Sequence, residues 1–78
     1  MPLTQIDVIL DARGLACPMP IVKTAQLMKT MTAGQTLEVI STDAGSVKDF
    51  AAWTRTTGNL LLESSSDAAT YHFVLRKA

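Results

Sequence analysis

Apolar and polar positions along the chain change their period four times. Residues 6–11 alternate, with Ile6, Val8 and Leu10 set against Asp7, Ile9 and Asp11, which predicts a strand with one wetter face. From Pro18 the spacing becomes helical: Ile21, Ala25 and Met28 share a face flanked by Val22, Leu27 and Met31, while Lys23, Gln26 and Thr30 lie opposite. Gly34 is the expected stop of this helix. Alternation returns in T-L-E-V-I-S-T at 36–42, with Leu37 and Val39 on one side and Glu38 on the other. After the turn signal D-A-G-S, Ser46 followed by Asp49 resembles a capping box and predicts a second helix. Val47, Phe50, Ala51 and Thr54 lie on its inner face, and Gly58 closes it. Two more strands, N-L-L-L-E and A-T-Y-H-F-V-L-R, are expected on either side of a serine-rich loop at 64–69. Tyr71, Phe73 and Leu75 alternate with His72 and Arg76 in the last of them.

The order βαβαββ joins the first two strands through a helical crossover, so they are expected to run parallel with a right-handed connection, and the last two form a hairpin. The fold class is therefore α/β: a two-layer sandwich with a four-stranded mixed sheet and both helices on one face. A length of 78 residues without linker or repeat predicts one domain over 1–78. Trp53 is expected to cover the edge of the core, Met28 and Met31 to fill it, and His72 to be solvated.

Composition narrows the chemistry. Seven basic and seven acidic residues leave no net charge, and aromatics make up 5%, which argues against a nucleic-acid partner. The N-terminal stretch lacks a basic region and carries aspartates among its apolar residues, so it reads as neither a signal peptide nor a membrane span, and a cytoplasmic protein is expected. One cysteine and one histidine rule out an internal disulfide or a Cys-x-x-Cys pair and are too few for a recognisable metal site. No metal or organic cofactor is expected, and a monomer is the default.

The chemistry-bearing stretch is G-L-A-C-P-M-P at 14–20. Proline is well tolerated as a first helical residue, so Pro18 in that role makes Cys17 the N-cap, at the positive end of the helix dipole. A thiol near pKa 8.5 would fall there to about 7.5, raising its ionised fraction at neutral pH from roughly 3% to roughly a quarter. Pro20 removes another amide and stiffens the turn, and Gly14 permits a tight entry. Arg13 and Lys23 are candidates to assist the thiolate or to steer an acidic partner, against a reading as ordinary surface charge. Asp43 is a candidate to contact a partner or tune the site, against a reading as a turn former. A free cysteine is also a common core residue, so an inert Cys17 stays open on these grounds.

L-D-A-R-G-L-A-C-P-M-P-I-V at 10–22, T-D-A-G-S-V-K-D-F-A-A-W at 42–53 and Gly58 together resemble the TusA/SirA-like family of small sulfur-carrier proteins. The resemblance implies the βαβαββ sandwich and a persulfide carried on Cys17, with Pro18 and Pro20 as motif partners. Asp11, Gly14 and Asp43 match the flanking motif positions. It implies a cysteine desulfurase or rhodanese-like sulfur donor and a downstream sulfur-acceptor protein, with no direct nucleic acid and no membrane. The chain would then act as a stoichiometric persulfide shuttle in tRNA thiolation, molybdenum cofactor assembly or sulfur oxidation. Ala44 and Ala51 stand where relatives often have proline, and Met19 fills the variable place of C-P-x-P, where some members are acidic. The absence of a second thiol would protect such a cargo, because a neighbouring cysteine attacking the inner sulfur would release sulfide and close a disulfide. Two other classes compete: a non-catalytic interaction or regulatory module with an inert cysteine, and a small RNA-binding domain.

Overall fold

The computed structural model describes residues 6–16 and 18–78. Its elements are β1 (Val8–Ala12), α1 (Met19–Met28), β2 (Thr36–Ser41), α2 (Ser46–Thr57), β3 (Leu60–Asp67) and β4 (Thr70–Arg76). They form one mixed sheet in the order β1-β2-β4-β3, with β1 parallel to β2 and the other two pairings antiparallel. The parallel pair matters most for the site. Because β1 and β2 end at the same edge of the sheet, both strand-to-helix connections emerge there side by side.

The pleat sorts the core. Leu37 and Val39 of β2 and Phe73 and Leu75 of β4 are fully buried on the face that the helices cover. Met28 of α1 and Phe50 of α2 join them in a single cluster. The Phe50 ring stacks on Phe73 with centroids 4.5 Å apart and meets Trp53 edge-on at 6.3 Å, so Trp53 does cover the core edge. The opposite face of the sheet carries exposed Ile9 and the half-buried residues Glu38, Ile40 and His72.

Several local expectations are corrected by this packing. Helix α1 begins at Met19 with Pro18 as its N-cap, so the N-cap expected at Cys17 belongs to the next residue; Cys17 itself lies outside the described residues. The helix ends at Met28 with Lys29 as its C-cap, well before Gly34. Gly34 instead serves a separate turn, where its φ of 89° is accessible to glycine without strain and its N–H donates to Lys77 O at 2.8 Å. In α2 the N-cap is Gly45, and Ser46 is the first helical residue, with no capping box from its side chain. Val47 is exposed, because the buried stripe of α2 runs through Ser46, Phe50 and Thr54 at a spacing of four.

The serine-rich stretch is strand, not loop. Residues 64–67 pair with β4 up to Asp67 and Thr70, leaving a two-residue turn at 68–69 in which Ala68 has a φ of 55°. Small polar side chains tolerate an exposed edge strand, and the pairing is set by β4 rather than by their own preference. A bulge between Leu61 and Glu63 shifts the register of β3. His72 is half-buried rather than solvated, with Nδ1 3.3 Å from Glu38 Oε2 across the β2–β4 pair.

Candidate functional site

Two loops build the site. The first runs through residues 13–18 between β1 and α1. It turns sharply out of the strand, because Leu15 N–H reaches back to Ala12 O at 3.3 Å while Gly14 takes a φ of 81°. That φ lies in the left-handed region, which costs any residue with a Cβ about 1 kcal/mol or more, so glycine fits position 14 on backbone grounds alone. Met19 N–H donates to Ala16 O at 2.9 Å at the start of α1. Pro18 and Pro20 bring no amide proton to the start of α1. Pro18 is exposed at the N-cap, whereas Pro20 is fully buried and anchors the first turn against the core. One turn later Thr24 is also fully buried, its hydroxyl donating to Pro20 O at 2.8 Å.

The second loop, residues 42–45 between β2 and α2, is held from below by two buried hydroxyls. Ser41 Oγ and Ser46 Oγ lie 2.8 Å apart, and Ser41 Oγ also accepts the Asp43 N–H at 3.1 Å. Asp43 Oδ1 accepts the Gly45 N–H at 3.1 Å, and Asp43 O accepts the Ser46 N–H at 3.0 Å. A shallow depression of about 280 Å³ lies between the loops, lined by Gly14, Leu15 and Ala16 on one side and Thr42 and Asp43 on the other. Ala16 is the residue before Cys17 in the chain.

Charge is arranged at its margin. Arg13 forms a two-pronged pair with Asp11: Nε to Oδ1 and Nη2 to Oδ2, each at 2.9 Å, with the Arg13 N–H adding a third bond to Oδ1 at 3.1 Å. The guanidinium bonds, then the backbone bond, hold the Asp11 carboxyl down to about 2, and the same carboxylate raises the Arg13 pKa. The two charges largely cancel at a distance. Arg13 is thereby committed to Asp11, and Lys23 is exposed on α1 outside the lining of the depression.

Of the residues singled out from the sequence, the depression gathers Gly14 and Asp43, with Pro18 and Pro20 framing the adjoining helix start. Leu15, Ala16, Thr42 and the Ser41–Ser46 pair had not been assigned to the site. For Ser41 the signal was present: it continues the inward alternation of Leu37 and Val39. Among the described residues no three His, Cys, Asp or Glu side chains are grouped to hold a metal ion, and no helix is long and apolar enough to cross a membrane.

Comparison with known proteins fits this arrangement. A family model described as sulfurtransferase TusA matches residues 8–77. The sulfur carrier protein TusA of Allochromatium vinosum is 45% identical over 76 residues, covering 97% of this chain and 100% of the relative. The proteins of the same name in Pseudomonas putida strains F1 and KT2440 are 38% identical over 71 residues, covering 91% of this chain and 89% of theirs. With a family model spanning the sheet and both helices, and a full-length relative at this identity, the chain belongs to the TusA family of sulfur carriers.

Proposed function

We propose that the protein carries sulfane sulfur as a persulfide on Cys17, taking it from a cysteine desulfurase or rhodanese-like donor and passing it to the thiol of an acceptor protein. The observation that carries this reading is the sequence C-P-M-P at 17–20, with the chain's only thiol next in the chain to Ala16 of the depression, within a family match that spans residues 8–77.

The chemistry is two displacements at sulfur. In loading, the Cys17 thiolate attacks the sulfane sulfur of the donor persulfide, a new S–S bond forms at Cys17, and the donor's own cysteine leaves as thiolate. In delivery, an acceptor thiolate attacks the outer sulfur and the bond to Cys17 Sγ breaks, with the electron pair leaving on Cys17. Each step exchanges one S–S bond for another, so no external oxidant or reductant is required. The thiolate is the reacting species in both directions, as nucleophile and as leaving group. The first turn of α1 holds no acidic residue to oppose it, and the nearby Asp11 carboxylate is paired with Arg13.

Incubation with a cysteine desulfurase, cysteine and pyridoxal phosphate, followed by intact-mass measurement, tests the reading. The wild type is expected to gain one sulfur atom and C17S none. A wild-type chain that gains nothing would refute it.

A further inference from the structure

We propose that Thr42 is a positioning residue for sulfur transfer, its hydroxyl holding the loop that carries Cys17 in register with the β2–α2 loop. This rests on the reading of Cys17 as the sulfur-bearing atom. The Gly14 N–H points away from its own turn and is received by Thr42 Oγ1 at 2.9 Å, from a residue 28 positions away in the chain. Both residues are exposed, so water competes for the bond and its main effect is on geometry rather than on stability. Thr42 has a firm base. Its neighbour Ser41 is locked to Ser46 in the buried hydroxyl pair, and the Asp43 N–H is fixed on the same oxygen.

The hydrogen bond therefore joins one wall of the depression, Gly14 to Ala16, to a wall that is itself cross-linked by hydrogen bonds. Ala16 is covalently linked to Cys17, and ahead of Gly14 the loop backbone is held by the Arg13 N–H on the Asp11 carboxylate. Displacement at sulfur requires attack along the S–S axis, so the placement of the persulfide relative to an incoming thiolate controls the rate. A misplacement on the order of 1 Å is known to reduce such reactions as much as a hundredfold. Thr42 contributes no charge. It acts through the loop.

The full chain, T42V and T42S separate this role from a purely structural one. Loading by a cysteine desulfurase with cysteine is followed by intact mass at a series of desulfurase concentrations, alongside amide hydrogen exchange at Gly14, Val39 and Phe73. Valine keeps the shape and removes the acceptor, and serine keeps the acceptor. T42V is expected to lower the saturating loading rate about tenfold with the half-saturating desulfurase concentration within about twofold, while T42S stays within about twofold of the wild type in both. Exchange at Gly14 accelerates in T42V alone, and exchange at Val39 and Phe73 is unchanged in all three. A T42V chain that loads at the wild-type rate, or a T42S chain as slow as T42V, overturns the proposal alone. A wild type that does not load overturns the carrier reading and this proposal with it.

Discussion

The two strand-to-helix junctions at the site edge are topologically equivalent and physically opposite. The β2–α2 junction is satisfied from within: buried Ser41 and Ser46 hold each other, Asp43 accepts the Gly45 N–H, and Asp49 lies in the first turn of the helix. The β1–α1 junction has a proline N-cap, a second proline at the second helical position and no acidic residue in its first turn. One helix carries a carboxylate in its own first turn, and the other does not. The difference is not a matter of amide donors, since prolines remove two of them at α1 and Met19 N–H is taken by Ala16 O. What favours an anion at α1 is a helix dipole with no carboxylate in its own first turn. What makes the β2–α2 junction useful is rigidity. The β1–α1 loop is braced through Gly14 against Thr42 of a neighbouring loop that is itself cross-linked by hydrogen bonds.

That contrast can be broken at either junction. The largest effect is expected at the buried hydroxyl pair, where S46A leaves Ser41 Oγ with only the Asp43 N–H and costs about 1 kcal/mol, read from urea unfolding. The S41A/S46A double variant should cost less than the two single ones together, because the coupled partner is removed as well. At the other junction, M19E supplies the missing carboxylate in the first turn of α1. A dipole interaction of about 0.3–1 kcal/mol then counts against the thiolate, and alkylation of Cys17 at pH 7 should slow about two- to fivefold, measured with iodoacetamide under pseudo-first-order conditions.

The smallest effect lies at the Asp11–Arg13 pair. Replacing the guanidinium in R13Q should let the Asp11 carboxyl rise from about 2 toward its ordinary 3.8, followed by carboxyl chemical shifts across an acid titration. A depressed carboxylate stabilises the fold above its unfolded pKa and loses that contribution as pH falls from about 3.8 through about 2. Both side chains are more than half exposed, so solvent screens the pair and little change in stability is expected above pH 5.

Much of this architecture was legible in the order of residues. Alternation at Leu37 and Val39 and again at Phe73 and Leu75 fixed which side of each strand faces inward, and two helical periods between strands dictated a sheet with a parallel pair. Helix limits were less legible. Pro18 fits both an N-cap and a first helical position, and the Val22 N–H on Pro18 O at 3.0 Å, the first bond of the helix, marks it as the N-cap. Ser46 read as a cap because serine so often is one, yet burial against Ser41 gave its hydroxyl a different partner. The serines at 64–66 carry little strand preference, and they are extended because β4 offers a ladder to pair with.

The order of residues by itself determined the α/β topology, the family, and the single thiol in its C-P-M-P motif, because periodicity and a short motif are local properties of the chain. Only the tertiary structure decided that Gly14 and Thr42 meet, that Arg13 is held by Asp11, and that a depression opens between two loops 28 residues apart. Those outcomes depend on the parallel register of β1 and β2, which brings distant segments to one edge of the sheet, and no local pattern encodes which side chains then come within hydrogen-bonding reach.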